Sequence, residues 1–212
     1  MGRTSEISSK QFHLDMNVMN DSKEKALQLL LKYNKQTFHI QHAITVDEIL
    51  DWYAQKYDYD PVYWGAVGLL HDLDYELYPN EHCIKNVEIL SGNGYSQSFI
   101  NSICSHGYGI CTKVRPEHFM EKILYSVDEL SGIISAMVLV RPSHSTKDIT
   151  LMSLKKKFKD KAFAAKCSRT VIKGGADMLE WQLDYLLEQT LIAIQEKEDI
   201  IKYRMQNINK QV

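Results

Sequence analysis

From residue 21 to residue 198 apolar positions recur at helical spacing, and no alternating run is long enough to argue a strand. The pattern predicts an all-α, bundle-like domain of roughly eight to ten helices. Residues 1–20 show no sustained period and are expected to form a flexible segment, and residues 199–212 read as a polar tail. The C-terminal helices before that tail are read as an extension of the main domain.

Three boundaries are sharply punctuated. Asp60-Pro61 reads as an N-cap followed by proline at the first helical position, opening a helix through Tyr63, Trp64, Val67 and Leu70. That helix is apolar on most sides, which predicts burial. Asn80 reads as the cap of the next helix, with His82 near its start and its stop at Gly92 or Gly94. Ser96 is placed to cap a third, ending at His106-Gly107. Thr37 to Tyr57 reads as a long amphipathic helix, and another is expected to start near Pro116 and stop before Pro142. The C-terminal third supplies two or three more, one of them through Leu183, Leu187 and Leu191.

The chain has 212 residues, enough to bury a core without disulfides. The formal net charge of -2 gives no global pull toward nucleic acid or an acidic membrane. The four cysteines form no CxxC pair, and Met1 to Lys10 is too polar for a secretory signal, so a reducing cytoplasm is expected. The longest apolar run, near Gly132 to Val140, is too short to span a bilayer, and no membrane partner is expected.

Candidate chemistry starts at His71-Asp72, directly after the buried-looking Leu69-Leu70. The ordinary reading makes His71 a satisfied core histidine and Asp72 a cap. A buried carboxylate costs several kcal/mol unless it is paired, however, and a metal ion would pair it. Imidazole and carboxylate suit Zn, Mn, Fe or Co. His42 shares a helical stripe with Val46, Ile49 and Tyr53 and should face inward, with His39 one turn away as the competing candidate. Asp128 lies beside the apolar stripe of its helix, and Gly132 and Ser135 follow it at one and two turns. Those small residues leave room for an ion and a ligand.

In order, His42, His71-Asp72 and Asp128 resemble the H…HD…D signature of the HD superfamily of metal-dependent phosphohydrolases. "HAITV", "GLLHDLDY" and "YSVDELSG" are similar to its motifs, over roughly Lys25 to Arg141. The resemblance implies that His42, rather than His39, joins His71, Asp72 and Asp128 as metal ligands. Some branches extend the pattern to H…HD…H…H…D and bind two ions bridged by the aspartate of the HD pair; here that would recruit His82 and His106. The alternative is a single ion, with both histidines lining its pocket. His13, His118 and His144 have no such placement and read as surface residues.

The implied activity is hydrolysis of a small phosphorylated molecule, a nucleotide being one candidate. One or two divalent ions (Mn, Fe, Co, Zn, Ni or Mg) would activate water. Besides Asp72, the candidate acid-base residues are Asp74, Glu76, Lys85 and Glu129. Where many relatives read "HDIG" this chain reads "HDLD", which puts Asp74 where those relatives have glycine.

From Ser153 to Lys173 there are eight lysines and arginines against the single acid Asp160. A solvated basic face explains such a run; so does a phosphate-attracting rim in which Lys155, Lys157 and Arg169 contact substrate. No nucleic-acid motif accompanies the charge, and a nucleic-acid partner is not expected. "HGYGI", "LVRPS" and "KKKFKDKAFAA" are similar to a narrower bacterial group of HD hydrolases, which would make Arg141 and the lysine run part of that group's pattern at the substrate site; Lys85 is a separate candidate substrate contact. Two other classes compete: an HD-fold di-iron oxygenase, motivated by His82 with His106, and a non-catalytic binding module, which retention of all four core ligands argues against.

Overall fold

The computed structural model describes residues 23–208. These form nine α-helices: α1 (Lys23–Tyr33), α2 (Thr37–Lys56), α3 (Pro61–Leu70), α4 (Ile84–Gly92), α5 (Gln97–Cys104), α6 (Phe119–Leu139), α7 (Leu151–Lys159), α8 (Arg169–Met178) and α9 (Leu183–Ile208). Two short 3-10 turns lie at Pro79–Glu81 and Ser105–Gly107. Among the described residues there is no strand, only an isolated bridge between Tyr108 and Thr112, and the protein is the expected all-α bundle. No described helix is long and apolar enough to cross a membrane. The expected N-terminal segment and His13 lie outside the described residues.

The Asp60 carboxylate accepts from the N–H groups of Val62 and Tyr63 and so starts α3, which is buried from Tyr63 to Leu70. α3 crosses α2 at backbone contact. A Cβ on Gly68 would lie 2.8 Å from the Asp47 Cα, so only glycine allows the approach. The crossing brings His42, on α2, beside His71, which follows the last turn of α3.

Two boundaries differ from expectation. The expected start of α4 at Asn80 is replaced by the 3-10 turn, and α4 opens at Ile84 after Cys83, whose φ is +67°. The helix is anchored instead by buried Asp74, whose Oδ2 accepts the Asn86 N–H at 2.8 Å. α6 starts at Phe119 rather than near Pro116. There His118 accepts the Met120 N–H, and Glu121 accepts the His118 N–H at 2.9 Å. His118, read as a surface residue, is therefore half-buried and a helix cap.

The expected polar tail is a larger correction. α9 continues unbroken to Ile208, with Ile201, Met205 and Ile208 buried. Its cations cover acids of α2. Arg204 pairs with Asp47 at 2.6 Å and with Glu48, and Lys197 with Asp51 at 2.7 Å, while Lys23 of α1 reaches Asp47 at 2.8 Å. α2 is consequently not amphipathic through its middle but buried from Ala43 to Leu50, Asp47 and Glu48 included.

Candidate metal centre

Three segments converge on one cluster. α2 supplies His42, the turn after α3 supplies His71 and Asp72, and the middle of α6 supplies Asp128. His42 Nε2 lies 3.0 Å from Asp128 Oδ1 and 3.2 Å from His71 Nε2, and His71 Nε2 lies 3.4 Å from the same Asp128 oxygen. His82, from the turn before α4, and His106, from the 3-10 turn after α5, approach from the other side with their Nε2 atoms 3.0 Å apart. Asp72 stands between the two groups. Its Oδ2 faces His71 at 3.5 Å and His42 at 3.8 Å, while its Oδ1 faces His82 at 3.4 Å and His106 at 3.3 Å. Two side-chain groups that could each hold a metal ion thus share one carboxylate.

Hydrogen bonding fixes the tautomers. The Nδ1 atoms of His71 and His106 meet carbonyl oxygens, of Gly68 at 2.8 Å and of Ile103 at 2.7 Å. A carbonyl only accepts, so each Nδ1 carries the proton and donates. His82 Nδ1 likewise donates to Asp74 Oδ1 at 2.7 Å. In the neutral rings every one of these Nε2 atoms then presents a lone pair inward. The lone pairs of His82 and His106 oppose each other, which is repulsive unless a cation or proton lies among them.

The electrostatics agree with such a pocket. Burial opposes ionisation of Asp72, but the adjoining His71 and His106 hold its carboxyl well below the usual range. Asp128 is held down by His42 and His71 against the same burial. Burial disfavours the charged ring of His106, yet its contact with Asp72 raises the pKa to about 10. His42 and His82 move up in the same way, through Asp128 and Asp74 respectively. The site is strongly polarised and suited to cations.

The other expected catalytic residues occupy distinct places. Asp74 is fully buried and divides its oxygens between the His82 ring and the Asn86 N–H, so it orients the His82 ring rather than facing the cluster. Glu129 adjoins Asp128 and accepts the Ser168 N–H at 2.9 Å; burial, then the Asp128 charge, pushes its carboxyl up. Glu76 accepts from the N–H groups of Lys35 and Gln36 and ties down the chain before α2. His39 lies outside the cluster, against Phe38 and Tyr75.

The five expected substrate-binding cations are engaged elsewhere, and none hydrogen-bonds to the cluster. Lys85 pairs with Glu88 at 2.8 Å, Arg141 with Asp148 at 3.2 Å, Lys155 with Asp184 and Lys157 with Asp160. Arg169 donates to backbone carbonyls of Phe158, Asp160, Phe163, Ala164 and Cys167. It staples the loop between α7 and α8, structural work where a phosphate contact was expected.

Sequence reasoning missed Asn86. Its Nδ2 donates to the carbonyls of Leu70, at 3.1 Å, and His71, at 2.7 Å, clasping the His71-Asp72 turn. A lone asparagine on a half-polar helix carries no signal of this. A cavity of about 150 Å³ borders His42, lined by Thr45, Gly132, Ser135, Val138 and Ile194 with Lys202 at its edge. Gly132 and Ser135 line that cavity, but a Cβ on Gly132 would lie 2.7 Å from Cys167 Sγ, so the space beside this glycine is filled by a side chain. No family model, curated protein or solved structure matches the chain.

Proposed function

We propose that this protein is a metal-dependent phosphohydrolase of the HD type, acting on a small phosphorylated substrate. The observation that carries the reading is the convergence of imidazole Nε2 atoms on both oxygens of Asp72, with their Nδ1 protons committed outward. His42, His71, Asp72 and Asp128 would hold one divalent ion, and Asp72, His82 and His106 a second. When bound, such ions acidify water and neutralise charge developing on a phosphoryl oxygen.

The chain's own residues support that role. Asp72 stays ionised and offers one oxygen to each half. Asp74 and Asn86 fix the His82 ring and the His71-Asp72 turn. Glu129, with its raised pKa, sits where a proton could be held beside Asp128. The cavity at His42 is mostly apolar, which fits the organic part of a small phosphoester.

The test is phosphate release by the purified full-length chain. It would be loaded in turn with Mn, Co, Fe, Zn, Ni or Mg and offered nucleotides, sugar phosphates and simple phosphodiesters. Turnover should appear with at least one ion and vanish in His71→Ala/Asp72→Ala. Ion bound at the cluster with no release from any substrate would sink the proposal. Retained iron together with oxygen consumption would turn the reading toward the oxygenase.

A further inference from the structure

Beneath the histidine cluster lies a second group of reactive side chains that the hydrolase reading does not use. Cys83 Sγ and Cys111 Sγ are in contact at 3.0 Å, although 28 residues separate them. A disulfide is only about 1 Å shorter than that contact. Both thiols are free.

The fold makes room for this contact. A Cβ on Gly107 would lie 2.3 Å from Cys111 Sγ and 2.9 Å from Cys83 Sγ, so the pair occupies space that any other residue would fill. Cys111 is set by a tight turn in which the Gly107 carbonyl accepts from the N–H groups of Ile110, Cys111 and Thr112. Cys83 is set by its left-handed backbone at the start of α4. The two differ in access: Cys83 is 3% exposed and Cys111 is only partly buried. Cys104 is buried behind them, with its Sγ donating to the Cys83 carbonyl at 3.8 Å.

His82, Cys83 and Cys111 could between them also form a metal-ligand group. His82, however, has Nδ1 on Asp74 and Nε2 directed at Asp72 and His106, so the thiols are left as a pair.

We propose that Cys111 and Cys83 form a peroxide-responsive thiol pair, Cys111 being the attacking residue and Cys83 the resolving one. The Cys111 thiolate attacks one oxygen of hydrogen peroxide, breaking the O–O bond and forming a sulfenic acid; hydroxide leaves and becomes water by taking up the proton the Cys111 thiol gave up. The Cys83 sulfur then attacks the sulfenic sulfur. The S–S bond forms, the S–O bond breaks, and the hydroxyl leaves as water with the Cys83 proton. One peroxide is reduced to two waters and two thiols are oxidised. The bond joins the segment carrying His82 to the turn that follows His106. The inference stands whether or not the histidine cluster binds metal.

The test treats reduced full-length protein with equimolar hydrogen peroxide, digests it without reductant and maps crosslinked peptides by mass spectrometry. The expected product is a Cys83–Cys111 crosslink, lighter by two hydrogens and reversed by dithiothreitol. Cys111→Ser should abolish it. Cys83→Ser should leave a sulfenic acid on Cys111 that dimedone traps, and Cys104→Ser should leave the crosslink unchanged. Circular dichroism would check that each variant is folded. Oxidation of Cys111 directly to sulfinic acid in the unsubstituted protein, a Cys83–Cys104 crosslink, or a crosslink formed only in urea would each overturn the proposal.

Discussion

His82 and His106 face each other Nε2 to Nε2 at 3.0 Å, while Asp74 and the Ile103 carbonyl hold their Nδ1 protons on the far sides. Neither neutral ring can turn its proton inward without giving up a buried acceptor. An ion bound between them would relieve the opposition of their lone pairs. Reconstituted protein is therefore expected to hold two ions per chain, and His82→Ala/His106→Ala to hold one. Element-resolved mass spectrometry after desalting would measure this; two ions retained in the double variant would contradict the shared-Asp72 arrangement.

The same pair predicts a pH dependence. With burial opposing it but Asp72 in contact, the His106 pKa is raised to about 10, so in the metal-free protein the ring carries a proton at neutral pH. An ion must displace that proton, and affinity should rise with pH through the neutral range. Calorimetry in buffers of differing ionisation enthalpy should show proton release on binding. In metal-free protein the sign reverses. The folded-state pKa is above the unfolded one, so the stabilisation from charged His106 is fully present below about pH 6.5 and is lost as pH rises toward 10.

Asp74 separates orientation from catalysis. Its Oδ1 accepts from the His82 ring and its Oδ2 from the Asn86 N–H. Asp74→Asn removes the charge and one of these acceptors. Loss of such an outer partner typically lowers metal affinity by about 10–100-fold. Activity at saturating metal should recover toward that of the unsubstituted protein. If turnover stays low with full metal occupancy, Asp74 touches the reaction directly.

Arg169 tests whether the basic run binds substrate. Its guanidinium is occupied by carbonyls of the loop between α7 and α8. Arg169→Ala should lower stability by about 1 kcal/mol, since the hydrogen bonds lost are part-buried or exposed and water can replace some of them. KM for a turned-over phosphoester should stay within about twofold, a difference of less than 1 kcal/mol. Urea unfolding and steady-state kinetics on one preparation decide it; a large rise in KM with unchanged stability would restore the phosphate-contact reading.

Legibility in the sequence followed the range of the interactions. α3 and α5 were readable because their starts are local: Asp60-Pro61 and Ser96 act on N–H groups two or three residues away. His71-Asp72 stood out by its chemistry and helical phase turned His42 inward, but the choice of His42 over His39 and the recruitment of His82 and His106 came only from the resemblance of the spaced motifs. The roles of Asp74 and Asn86 were hidden because their partners lie 8 to 16 residues away across a turn with no regular period. The tail was misread for a related reason. The polar faces of α2 and α9 each look solvated alone, and only their juxtaposition buries Asp47 and Glu48 against Arg204.

That juxtaposition gives the last prediction. Asp47 is fully buried, and burial outweighs Lys23 and Arg204 in pushing its carboxyl up, so it depends on both cations to remain charged. Arg204→Ala removes one of them and leaves Glu48 with Lys197 at 3.6 Å. Breaking a buried pair from one side costs about 3–5 kcal/mol, and the Lys23 contact and partial exposure of Arg204 put the expectation at the lower end. The urea midpoint should fall accordingly, while Gln206→Ala, half a turn on and exposed, should change it little. A shift below about 0.5 kcal/mol for Arg204→Ala would mean that the end of α9 contributes little to the fold, as a solvated tail would. α2 carries His42 five residues before Asp47, so loosening α9 should also weaken ion binding at the cluster, a coupling that calorimetry on the same variant would detect.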